Sequence, residues 1–109
     1  SWSPPNFDIL APHTALPIYM KLEQQRRVSD QSWITRWRYS GNLPLKGVVM
    51  GFLAQDSAGT THRYVAHQPG IVRPGQRFEL TFETSDGTTL KQIEQMKVRY
   101  YVDDAMPAQ

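Results

Sequence analysis

Leu16, Ile18, Met20 and Leu22 alternate with Pro17, Tyr19, Lys21 and Glu23, the period of two that places apolar side chains on one face of a strand. Pro17 cannot donate to a ladder, so this first strand is expected to start near a sheet edge. After a polar stretch from Gln24 to Gln31, a second period-two segment follows. It sets Trp33, Thr35, Trp37 and Tyr39 on one face and Ile34, Arg36 and Arg38 on the other. Ser40-Gly41-Asn42-Leu43-Pro44 has turn chemistry. The apolar run from Gly47 to Gln55 is too short and too rich in glycine for a helix. It predicts a central strand buried on both faces for part of its length.

Asp56-Ser57-Ala58-Gly59 closes a hairpin, and Thr61 to Ala66 returns with the composition of an edge strand. Pro69-Gly70 and Pro74-Gly75 punctuate the chain before the clearest pattern of all. There Phe78, Leu80, Phe82 and Thr84 alternate with Arg77, Glu79, Thr81 and Glu83, which predicts one core face and one solvent face. Asp86-Gly87 turns that strand, and Thr88 to Gln95 predicts a helical turn or a short strand. Met96, Val98, Tyr100 and Val102 then alternate with Lys97, Arg99 and Tyr101 in a last strand, and the chain from Asp103 reads as a fraying end. Six to seven short strands in 109 residues predict an all-β fold, an immunoglobulin-like antiparallel β-sandwich. The predicted organisation is a proline-rich lead-in over residues 1–15, the sandwich over 16–103 and a flexible tail over 104–109.

Composition narrows the chemistry. There is no cysteine, which excludes disulfides, thiol nucleophiles, thiolate zinc sites and an antibody-type inter-sheet bridge. No run approaches the roughly 20 apolar residues that a membrane-crossing helix needs. The net charge is +2, unevenly spread: Ser1 to Arg77 holds nine Lys/Arg against four Asp/Glu, and Phe78 to Gln109 holds three against six. No basic block is longer than Arg26-Arg27, so nucleic acid is not an expected partner. Ser1-Trp2-Ser3-Pro4-Pro5 has neither a basic nor an apolar leader pattern, and the expectation is that any export signal has been removed. Absence of cysteine fits an exported bacterial domain that avoids wrong disulfides and equally fits many cytosolic proteins; the expectation taken is a periplasmic or extracellular location.

One stretch carries a family likeness. Asn42-Leu43-Pro44-Leu45-Lys46-Gly47-Val48 leads into Phe52-Leu53-Ala54-Gln55-Asp56, then Gly59, then Val72-Arg73-Pro74-Gly75-Gln76 and Phe78. This order resembles the FxLYD-type family of bacterial immunoglobulin-like modules, with Phe52, Asp56 and Gly59 on the motif and Ala54 and Gln55 where it has Leu and Tyr. The resemblance implies an accessory module attached to, or secreted with, bacterial envelope proteins, and it implies no catalytic residues.

Candidate chemistry is sparse. His62 and His67 are five residues apart and so face opposite sides of a strand, while His13 lies far upstream; no zinc set converges. No Gly-x-Ser-x-Gly elbow is present, Glu79 and Glu83 sit on a solvent face, and Asp56-Ser57-Ala58-Gly59 offers too few oxygens for calcium. The expectation is a protein without enzymatic activity or cofactor, a protein-contact module. Its candidate contact surface is Arg36, Arg38, Arg63 and Tyr64, with an edge strand at Thr61 to Ala66 able to accept a partner strand. Trp33, Trp37 and Tyr39 admit two readings. They fill the core, or they form an exposed platform that binds carbohydrate or an anionic polymer with the help of nearby arginines. The core reading is favoured, because the strand needs one apolar face and its other face carries Arg36 and Arg38.

Overall fold

A computed structural model describes residues 19–108. The lead-in over residues 1–15 and the strand start at Leu16 to Ile18 lie outside the described residues. The elements are β1 (Met20–Ser29), β2 (Ser32–Tyr39), β3 (Leu45–Gln55), β4 (Thr61–Gln68), β5 (Arg77–Glu83), a single helical turn α1 (Leu90–Ile93) and β6 (Lys97–Pro107). They form two antiparallel sheets, ordered β1-β2-β5 and β4-β3-β6, so the chain is an all-β sandwich. No helix among the described residues is long and apolar enough to cross a membrane.

Two elements are longer than their apolar patterns. β1 continues through the polar stretch after Leu22 because a bulge between Leu22 and Gln24 resets the register; Gln25 to Arg27 still pair with Thr35 to Trp33 of β2. One face of an edge strand can be polar throughout, and from Glu23 onward only Gln25 is even partly buried. The expected tail from Asp103 is likewise corrected: β6 runs to Pro107. A register shift near Val49 turns Ala105 into the core, and Met106 and Pro107 pair with Lys46 and Leu45. The segment from Thr88 to Gln95 resolves to α1, started by a capping box between Thr89 and Gln92 and pinned by buried Leu90 and Ile93.

Between the sheets lies an aromatic core. Trp33 stacks on Phe82 with ring centroids 5.3 Å apart and meets Phe52 edge-on at 5.0 Å; Trp37 meets Tyr100 edge-on at 5.0 Å. Offset and edge-on rings of this kind contribute beyond their buried area. The polar atoms they carry inward are satisfied. Trp33 Nε1 donates to the Tyr100 hydroxyl at 2.8 Å, which donates to Gln25 Oε1 at 2.8 Å, and Trp37 Nε1 donates to Thr35 Oγ1 at 2.7 Å. Burial pushes the Tyr100 phenol far above its ordinary pKa, so it stays neutral in this network.

Trp33 and Trp37 are 0% exposed and Tyr39 1%, which overturns the stacking-platform reading and with it a carbohydrate surface built on these rings. Period-two geometry gives the reason: the face of β2 that carries them is the inward one, and β1 and β5 flank it on both sides. Tyr39 is held by a hydrogen bond from its hydroxyl to the Leu43 carbonyl at 2.5 Å and lies against Gly41, where a Cβ would stand 2.3 Å from the Tyr39 oxygen.

Truncating this core is expected to be costly. Phe52→Ala or Trp37→Ala should lower stability by about 3–5 kcal/mol, read as an earlier urea midpoint at an unchanged m-value. A loss under 1 kcal/mol would contradict the packing described.

Candidate functional site

The two outward sheet faces differ in character. On the β1-β2-β5 sheet the outward side chains are mostly charged or polar, and two ion pairs cross between strands. Arg36 Nη2 donates to Glu79 Oε2 at 3.0 Å and Arg77 Nε to Glu23 Oε1 at 2.9 Å. These ions are exposed, so the pairs contribute little to stability and mark a solvated face. Arg38 lies in register between Lys21 and Arg77, and Lys21 and Arg38 have no carboxylate partner among the described residues.

The β4-β3-β6 sheet presents four cross-strand rows outward. In order they are Thr61-Gln55-Lys97, Arg63-Leu53-Arg99, Val65-Gly51-Tyr101 and His67-Val49-Asp104. The middle of this face is apolar: Val49 and Leu53 are half-buried and Val65 is 48% exposed. Tyr101 lies flat over Gly51, so closely that a Cβ on Gly51 would stand 2.2 Å from the ring. Glycine is therefore required at position 51 for the ring to lie there. Arg63 caps the arrangement: its guanidinium sits 5.8 Å from the Tyr101 ring centroid and donates to the Tyr101 hydroxyl and to Asp103. Leu53, Gln55, Thr61, Lys97, Val98 and Arg99 line a shallow hollow of about 300 Å³. Along the outer margin, β4 pairs only with β3, which leaves it an edge strand among the described residues.

The sequence-derived candidates divide accordingly. Arg63 lies on this face. Tyr64 does not; it is 4% exposed, because neighbouring residues of a strand point to opposite sides, and it is corrected from contact surface to core. Its hydroxyl reaches Asp86, and burial pushes its pKa up to about 12. Arg36 and Arg38 lie on the other sheet and are not brought together with Arg63. Leu53, Val65, Lys97, Arg99 and Tyr101 complete this face and form no pattern in the linear sequence. Each strand's alternation gives its outward residues, but only the register of β3 against both neighbours assembles them.

A second constellation closes one flank. His62 of β4 sits between two carboxylates, with Nδ1 2.9 Å from Asp86 Oδ2 and Nε2 3.2 Å from Asp56 Oδ2. Asp56 is fixed by the Ala58 and Thr60 amides at 3.0 and 2.9 Å, the local bonding that suits Asp to a turn. Asp86, in the turn after β5, accepts from the Thr88 amide at 3.1 Å and the Tyr64 hydroxyl at 2.9 Å. The group thus clasps β4 of one sheet to the turn leaving the other. Bonds to Asp86 and then Asp56 raise the His62 pKa, and the bond from His62 lowers that of Asp56. At Asp86 partial burial opposes ionisation, but the bonds from His62, Thr88 and Tyr64 outweigh it and hold the carboxyl well below its ordinary range. Both imidazole nitrogens can donate only in the charged ring, so the clasp is complete only as the imidazolium. The two carboxylates bracket the His62 ring from opposite nitrogens and do not converge on a point, and no cluster of metal-ligating residues occurs among the described residues.

Comparison with family models, with curated proteins and with solved structures gave no match.

The clasp makes stability pH-dependent with a definite sign. A raised histidine pKa contributes stability that is full below the ordinary value of 6.5 and lost as pH rises through the folded value. The lowered carboxyls contribute stability present above their ordinary value of 3.8 and lost as pH falls through their folded values. The melting-temperature gap between the native chain and His62→Gln should therefore be widest between those two ordinary values and narrow on the alkaline side. A gap that stays constant into the alkaline range would refute the clasp.

Proposed function

We propose that this domain is a non-catalytic protein-contact module of a bacterial envelope or secreted protein, and that its partner docks on the outward face of β4-β3-β6 and along the β4 edge. The observation that carries this reading is the contrast between the faces. One is charged across its width; the other has an apolar strip through Val49, Leu53 and Val65, bordered by cations and ending at an edge strand. An apolar strip with a charged border is how a protein-contact surface is organised. An edge strand offers unpaired backbone groups for strand addition, and β4 contains no proline to block it. The envelope or secreted setting rests on the FxLYD-type resemblance, with which the cysteine-free composition is compatible.

A photoreactive residue placed at position 65 tests this against one at position 81, which is exposed on the opposite sheet. In the producing cell, discrete adducts are expected from position 65 and not from position 81. Equal adducts from both positions, or adducts from position 81 alone, would contradict the reading.

A further inference from the structure

The cations of the docking face are not equally engaged. Arg63 is spent on Tyr101 and Asp103. Lys97 and Arg99, both exposed and two residues apart on β6, have no carboxylate partner among the described residues. Both border the hollow that Leu53 and Val98 line with apolar atoms, and Gln55 and Thr61 complete its wall. Like charges held side by side on one strand face are mutually unfavourable unless an anion lies between or beyond them.

We propose that the partner contributes an extended acidic segment, with carboxylates two residues apart that engage Lys97 and Arg99 and an apolar side chain that enters the hollow over Leu53. This rests on the protein-contact reading and specifies its partner. The spacing follows from strand geometry: residues i and i+2 of an extended chain project to one side about 6.5 Å apart, the same interval that separates Lys97 from Arg99 along β6. Arginine and lysine then play different parts. The planar Arg99 guanidinium takes a carboxylate in a bidentate fork, and the Lys97 ammonium acts as a point charge on a flexible stem.

A second copy of this chain does not supply the segment. Nowhere among its ten acidic residues do two stand two positions apart; the nearest approach is the adjacent pair Asp103-Asp104. Adjacent residues of a strand point to opposite faces and do not present both carboxylates to one side. The segment is therefore supplied from outside these 109 residues.

The test uses the full chain, labelled with nitrogen-15, titrated with a capped peptide Glu-Leu-Glu-Val-Glu and with its Gln-Leu-Gln-Val-Gln counterpart. The acidic peptide should shift the amides of Leu53, Gln55, Lys97 and Arg99 saturably, and the effect should weaken as salt is raised. Lys97→Glu with Arg99→Glu should weaken binding roughly tenfold or more, whereas Arg38→Glu on the opposite sheet should leave it unchanged. Unaltered amide dispersion elsewhere shows that the variants fold. Equal binding of the glutamine peptide, or no saturable shift with the acidic one, overturns the acidic-segment inference and leaves the protein-contact reading standing if position 65 still cross-links. Shifts centred on Lys21, Arg38 and Arg77 would overturn both. Self-association that buries Lys97 and Arg99 would replace the acidic segment with a second copy.

Discussion

The hydrogen-bonded chain from the Trp33 indole through the Tyr100 hydroxyl to Gln25 is the contact on which the rest of the sandwich depends. It runs from β2 to β6 and back to β1, and so joins the two sheets by directional bonds inside an otherwise apolar layer. Around it the rings of Phe52, Phe82 and Trp37 pack at centroid distances of 4.9 to 5.6 Å from Tyr100. A small domain without disulfides must take its stability from such a layer, because it has little other apolar area to bury. A buried indole or phenol without a partner would cost the desolvation of its polar atom, about 1–3 kcal/mol and more than the bond itself contributes, so the pairing of Trp33 with Tyr100 also fixes how the sheets register on each other.

That economy shapes the surface. With the tryptophans and most other large aromatics of the described chain turned inward, the outward faces are left to aliphatic, polar and charged residues. Tyr101 is the informative exception: it belongs to the outward face of β6 yet is only 8% exposed, because Gly51 lets it lie down and Arg63 covers it. The result is a low, firm surface beside an edge strand, with Lys97 and Arg99 at one end. The His62 clasp stiffens the same sheet from its other side by tying β4 to the turn at Asp86, and so gives the edge strand a defined position. A docking strand that meets a prepositioned edge loses less ordering entropy on binding.

Much of this architecture is legible in the chain. The Phe78, Leu80, Phe82 alternation specifies β5 because each inward residue is large and each outward one polar, and the Asp56 to Gly59 turn follows from Asp bonding to its own downstream amides. Boundaries were harder. β1 past Leu22 and β6 past Val102 are held by backbone pairing and pass through bulges, where the period-two signal breaks although the strand does not. The candidate site was legible only in parts. Arg63 is outward as its polarity suggests, whereas Tyr64, its neighbour in the strand, points inward by parity, and the row Arg63-Leu53-Arg99 is invisible until three strands are set in register. The His62 clasp joins residues 24 positions apart through a turn of the other sheet, a long-range closure that no local pattern reports.

Buried rings and an exposed aliphatic strip divide the molecule, and relaxation of assigned side-chain signals by a soluble paramagnetic agent measures that division directly. The indole protons of Trp33 and Trp37 should be protected while the methyl groups of Val65 and Leu53 relax strongly. Relaxed Trp33 and Trp37 indoles beside protected Val65 and Leu53 methyls would contradict both the core and the docking face proposed on it.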